Sequence, residues 1–223
     1  MKKKIWVEWI GLWGSGKSTC ITNYTDSLET NDSKYSFTKD FLAKGRLKKF
    51  YNIFSSLDVL LTSLKLFCIL CPHLLRSHIT REKIIADELR SFIACYSARI
   101  NSLKSSSDND VLWEGEMHLL PILNLSYKEM DKIIGLLLDI NKEKKHAVVV
   151  MKIDEKTAFN RILSDIEKNK NIRFKEEHKF DFERLQRFHS NQNKLIDILR
   201  SYSVDIFESD GCINNLKKFI QSI

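Results

Sequence analysis

Gly11-Leu12-Trp13-Gly14-Ser15-Gly16-Lys17-Ser18 follows directly on the apolar run Ile5-Trp6-Val7-Glu8-Trp9-Ile10 and completes the pattern GxxxxGK[ST]. Glycines there let the backbone turn inward without Cβ clashes, so that successive N–H groups converge on phosphate oxygens. The helix expected from Lys17 onward adds the positive end of its dipole. The expected nucleotide cradle comprises Gly11, Gly14, Ser15, Gly16, Lys17, Ser18 and Thr19. Lys17 would reach the β/γ-phosphates and the Ser18 hydroxyl would coordinate Mg²⁺. The competing reading is a glycine-rich turn with no ligand. Against it, the chain has only 7 Gly and three of them fall in this loop. A strand before the loop and a helix-compatible stretch after it, residues 19–28, supply the context the motif requires.

Working outward, 223 residues suffice for one domain, residues 1–223, holding a five-stranded sheet with helices on both faces. A hydrophobic content of 43% with 29% charged residues describes a globular chain, and two prolines leave little room for an all-β fold rich in turns. The net charge of +7 suits a handler of phosphates without choosing among nucleotides, nucleic acid and anionic lipid. Met1-Lys2-Lys3-Lys4 imitates the start of a secretion signal, but the apolar stretch behind it is the P-loop strand and cannot be cleaved away. A cytoplasmic location is expected. The five cysteines, Cys20, Cys68, Cys71, Cys95 and Cys212, then read as reduced thiols. Cys68 and Cys71 form a lone CxxC without a second pair, so burial in an apolar helix is expected rather than zinc binding.

Strands are expected over residues 3–10, 33–38, 111–113, 146–153 and 202–207, alternating with helices over 17–28, 126–140, 154–168, 179–200 and 213–220. Ser126-Tyr127-Lys128-Glu129 has the form of a capping box, and Asp154 that of an N-cap. Two long helices are expected over 45–76 and 80–104, separated near Pro72 and His78, with Thr80 capping the second. The alternation predicts a three-layer α/β/α sandwich around a five-stranded parallel sheet, the P-loop NTPase fold. Residues 57–75 are the most apolar run, yet Asp58 and Lys65 interrupt it, and it falls short of the ~20 apolar residues a membrane span requires. A core or homodimer-interface helix is the favoured reading. Basic residues just before it, from Lys39 to Lys49, keep peripheral membrane contact open.

Three further features carry chemistry. A carboxylate closing a strand beside the P-loop can hold Mg²⁺ through water, and Glu114 occupies that place after Val111-Leu112-Trp113, with Glu116 as a nearby substitute. Arg161, Lys168, Lys170, Arg173 and Lys175 form a basic segment, with a lid expected over about 161–178, able to cover charge developing in phosphoryl transfer. Met151-Lys152-Ile153-Asp154 imitates a guanine-recognition motif, but Met replaces the Asn whose amide the motif needs. Asp154 as a helix cap is the simpler reading.

The order of P-loop, two long helices, strand ending in a carboxylate, helix with an internal Arg, basic lid and long helix resembles that of the nucleoside monophosphate and deoxynucleoside kinases. The thymidylate kinase/deoxynucleoside kinase branch is the most similar. The loop through Thr19 is similar to that of thymidylate kinases, and Ala158-Phe159-Asn160-Arg161-Ile162 resembles the start of the lid helix, whose Arg faces the phosphates. Phe182-Glu183-Arg184-Leu185 with Asn193-Lys194-Leu195 resembles the helix after the lid, and residues 92–99 resemble a substrate-side helix ending in Arg99. The resemblance implies ATP and Mg²⁺ as donor and metal, a small-molecule acceptor, Lys17, Arg161 and Arg173 in catalysis, and Trp13 and Arg99 on the acceptor side.

This chain also departs from the pattern. Trp13 stands where thymidylate kinases carry an acidic residue, and Glu114-Gly115-Glu116 replaces motifs that supply an acceptor-side Arg. Phe37-Thr38-Lys39-Asp40 replaces an acidic-Pro-Gly segment, leaving Asp40 as the candidate general base. The acceptor therefore stays open among nucleosides, nucleotides and sugar-type molecules. The competing classes are a GTPase-like switch or degenerate P-loop interaction protein, and a polynucleotide kinase. Nothing beyond charge supports nucleic-acid binding.

Overall fold

The computed structural model describes residues 5–27, 35–37, 57–79, 110–113, 116–139, 145–168, 182–209 and 213–223, together with Leu89 and Phe92. In chain order these form β1 (Ile5–Ile10), α1 (Lys17–Asp26), β2 (Tyr35–Phe37), α2 (Leu57–Ile79), β3 (Asp110–Trp113), a 3₁₀ segment (Glu116–Leu123), α3 (Tyr127–Asp139), β4 (Lys145–Met151), α4 (Glu155–Glu167), α5 (Phe182–Ser201), β5 (Asp205–Ser209) and α6 (Ile213–Ser222). The five strands make one sheet in the order β2-β3-β1-β4-β5, and every pair is parallel.

Parallel strands covered on both faces must be apolar throughout, and the central pair meets that demand. All six residues of β1 and the last five of β4 are buried. Alternation then divides the side chains between two layers. Ile10, Val148 and Val150 join the core beneath α2, the 3₁₀ segment, α3, α4 and α5. Ile5, Val7, Trp9, Ala147, Val149 and Met151 pack against α1 and α6 through Cys20, Tyr24, Leu216 and Ile220. Burial raises the pKa of the Cys20 thiol, which keeps it protonated and inert.

The caps read from sequence are present. Ser126 N–H donates to Glu129 Oε2 at 2.8 Å while Glu129 N–H donates to Ser126 Oγ at 3.3 Å, and Asp154 Oδ1 accepts from Thr157 N–H at 2.9 Å. Three expectations need correction, and one element is new. Pro72 does not separate two helices: α2 runs through it to Ile79. The carbonyl that Pro72 leaves without a donor belongs to Cys68 on the exposed side, where water can serve it, while Leu66 and Leu70 anchor the buried side. Cys68 is accordingly exposed rather than buried. Tyr202 and Ser203 form a turn instead of opening the last strand, with Ser203 at φ +56°. The 3₁₀ segment was not expected at all. Residues 45–56 of the first expected long helix, and the second expected helix over 80–104 apart from the buried helical positions Leu89 and Phe92, lie outside the described residues.

Candidate active site

The P-loop lies at the C-terminal end of β1, where parallel α/β sheets place their ligands. Its glycines are required by geometry. Gly14 and Gly16 hold φ of +75° and +84°, a region that L side chains rarely adopt. A Cβ on Gly14 would also lie 2.6 Å from the Ala158 carbonyl oxygen, so the loop and α4 touch backbone to backbone. A Cβ on Gly11 would meet Ser15 Oγ at 2.8 Å and Met151 Cβ at 3.0 Å, which closes the ends of β1 and β4 together. Ser15 N–H donates to Leu12 O at 3.1 Å to make the turn, and Cys20 N–H donates to Gly16 O at 2.9 Å as α1 begins.

Two cations bracket this loop. Lys17 is buried and its ammonium donates to Gly11 O at 3.1 Å and Leu12 O at 3.3 Å. Arg161, on the second turn of α4, donates from Nη1 to Gly14 O at 3.2 Å. The guanidinium is thus held across the loop by the same helix that packs on Gly14. Ser15 Oγ is buried and has no hydrogen-bond partner among the described residues. Glycine-only backbone, converging positive charge and an orphaned hydroxyl together fit the polyphosphate of a nucleotide. Ser18 and Thr19 are exposed at the start of α1. Among the described residues there is no group of three His, Cys, Asp or Glu side chains that could hold a metal ion; of the two groups expected to hold Mg²⁺, only Ser18 lies among them.

Trp13 is half-buried and meets Phe188 of α5 edge-on, with centroids 5.2 Å apart at 85°. Sequence reasoning paired it with either an acceptor or the long apolar helix. A described ring partner, Phe188, stands on the helix after the basic segment, and the guanidinium of Arg184, one turn earlier on that helix, lies 5.9 Å from the Phe188 centroid. Asp40, Arg99, Glu114 and Arg173 lie outside the described residues, as do Lys170 and Lys175.

On the β4–β5 side of the loop, a cavity of about 490 Å³ begins at Leu12 and runs past Ile153, Asp154 and Glu208. Its far wall is one face of α5, formed by His189, Gln192, Asn193 and Ile196. Sequence reasoning missed this wall; the i, i+3, i+4, i+7 spacing was its only signal. His189 Nδ1 and Glu155 Oε1 are 2.5 Å apart and Gln186 donates to Glu155 at 3.3 Å, tying α5 to the first turn of α4. That contact with His189 lowers the Glu155 pKa. The Asp154 carboxylate is engaged by Thr157, which lowers its pKa and accounts for the residue as a cap rather than a base reader.

The P-loop, its flanking strands and the sheet order define a P-loop NTPase α/β fold. No family model and no curated protein matches the chain. Among solved structures, a deoxyadenosine kinase from M. mycoides with bound dCTP aligns with a TM-score of 0.52 at 14% identity, over 98% of this chain and 100% of that one. A deoxyadenosine kinase from M. mycoides with bound dATP aligns with a TM-score of 0.48 at 16% identity, over 92% of this chain and 90% of that one. The first likeness is one of fold: the chain shares the architecture of that deoxyadenosine kinase.

Proposed function

We propose that this chain is an ATP- and Mg²⁺-dependent small-molecule kinase, working as a single domain in the cytoplasm, that transfers the γ-phosphate to a nucleoside, nucleotide or sugar-type acceptor. The observation that carries the reading is the loop sandwiched between Lys17 and Arg161, with Gly14 against the backbone of α4. Phosphoryl transfer asks little covalent chemistry of a protein. It needs positioning and cations that cover spreading charge, which these two side chains supply together with Arg173 from the basic segment.

The loop amides and the residues from Gly11 to Thr19 hold the donor phosphates. Ser18 and Glu114 would hold Mg²⁺, which would supply positive charge to the donor phosphates. The cavity on the β4–β5 side, beginning at Leu12, takes the donor's nucleoside. The acceptor then lies on the other side of β1, toward β3 and β2, where the chain leads into Glu114 and Asp40. Asp40 serves as general base, and Trp13 and Arg99 contact the acceptor. Nucleosides head the list of acceptors, because the similar fold is that of a deoxyadenosine kinase. The outward face of α2, with Leu61, Leu64, Phe67, Leu75 and Ile79 exposed, suits a homodimer contact better than a lipid surface.

The test is transfer of label from γ-labelled ATP, with Mg²⁺, to a panel of nucleosides, nucleotides, sugars and lipid-linked sugars. The reading expects one class to become labelled. Preference for GTP, with hydrolysis and no labelled acceptor, would replace it with a GTPase-like switch.

A further inference from the structure

We propose that Glu8 is a positioning residue, whose buried carboxylate fastens the segment after β3 to the P-loop strand. The inference rests on the kinase reading and adds to it a residue that no loop motif contains. Glu8 is 0% exposed in the middle of the central strand, where its five companions are Ile, Trp, Val, Trp and Ile. A carboxyl group there carries a desolvation cost that an aliphatic side chain would avoid, so packing does not account for it.

Its contacts do. Glu8 Oε1 accepts the Met117 N–H at 2.8 Å. Met117 stands in the first turn of the 3₁₀ segment, whose leading N–H groups have no partner inside the segment and favour an anion. Glu8 Oε2 lies 3.6 Å from Nε2 of His146 on β4, so one carboxylate joins the P-loop strand, its neighbour and the segment. The far end of the segment is held from α5, where Asn191 Nδ2 donates to Pro121 O at 3.0 Å. Between these two ties, His118, Pro121 and Ile122 form a wall shared with Gly11, Leu12 and Trp13. Glu114, the candidate metal carboxylate, precedes Met117 by three residues. Glu8 therefore fixes the start of the 3₁₀ segment against the strand that carries the phosphate cradle.

Three variants test this: Glu8→Gln, which keeps an oxygen able to accept from Met117; Glu8→Leu, which does not; and Met117→Pro, which removes the donor and leaves Glu8 in place. Each is assayed for kcat, KM for ATP, the Mg²⁺ concentration giving half-maximal rate, and melting temperature, with the acceptor that the wild-type chain labels. Loss of a supporting contact typically lowers activity or metal affinity about 10- to 100-fold. The expected result is a fall of that order in kcat and a rise in Mg²⁺ requirement for Glu8→Leu and Met117→Pro, with KM for ATP within about threefold of wild type, and recovery in Glu8→Gln. Met117→Pro decides the matter if Glu8→Leu does not fold, since Pro is tolerated in a first helical turn. Because it also removes the buried Met117 side chain, Met117→Ala, which keeps the N–H, serves as its packing control, and only a loss beyond that control counts. Wild-type kinetics in Met117→Pro, or equal losses in Glu8→Gln and Glu8→Leu, overturn the inference while the kinase reading stands. A wild-type chain that labels no acceptor removes the kinase reading, and this role with it.

Discussion

Gly14 concentrates the local constraints. Its φ of +75° and the 2.6 Å approach of the Ala158 carbonyl to a built Cβ act together, so neither backbone relaxation nor a small shift of α4 relieves both. Gly14→Ala should lose about 1–3 kcal/mol of stability by the usual cost of such strain, read in urea unfolding. It should also weaken ATP binding by displacing Arg161; unchanged stability and affinity would show that the loop is looser than its contacts imply. Arg161 differs in kind. It donates to Gly14 O from an exposed helix face, so Arg161→Ala should leave the melting temperature within a few degrees while kcat drops about 10²-fold or more. A fall in stability with intact kcat would make Arg161 a scaffold residue.

At the scale of elements, the capping box that opens α3 carries a titration. Hydrogen bonds from Ser126 first, and then the contact with His73, lower the Glu129 pKa to about 2 from an ordinary 4.5. A lowered folded-state pKa gives stability that is present above about pH 4.5 and lost as pH falls through about 2. Because the Glu129 side chain is 35% exposed, solvent screens much of this, and the cap as a whole is worth about 1 kcal/mol. Ser126→Ala should therefore unfold at lower urea than wild type at pH 7, with the gap closing as pH falls from 5 toward 2. A gap independent of pH would separate the cap from the carboxylate. Ser126, Asp154 and the apolar runs of β1 and β4 were legible in the sequence because each obeys a local rule. The continuity of α2 through Pro72 was not, since it depends on which side of the helix the freed carbonyl faces. The 3₁₀ segment was equally hidden: its anchors, Glu8 and Asn191, lie 109 and 70 residues away from the atoms they bind.

At the scale of the molecule, the sheet order splits the site into a β4–β5 side, with its cavity, and a β3–β2 side. The P-loop half was legible because its chemistry is contiguous in sequence from Gly11 to Ser18. The proposed acceptor half was not, because its candidates come from separate segments and depart from the patterns that would identify a substrate. Trp13 tests the division. By the proposed function Trp13 contacts the acceptor, so Trp13→Ala should raise the acceptor KM severalfold and leave ATP affinity unchanged; loss of ATP binding instead would place the indole, which meets Phe188 of α5, in the loop's scaffold. The central claim is that Lys17 and the loop act on a transferred phosphate. Its most direct measurement is label transfer from γ-labelled ATP by wild type and Lys17→Ala, with folding of both checked by circular dichroism. The account predicts a labelled acceptor with wild type and a rate at least about 10²-fold lower in the folded variant. Full transfer by Lys17→Ala, or hydrolysis with no acceptor labelled by wild type, would contradict it.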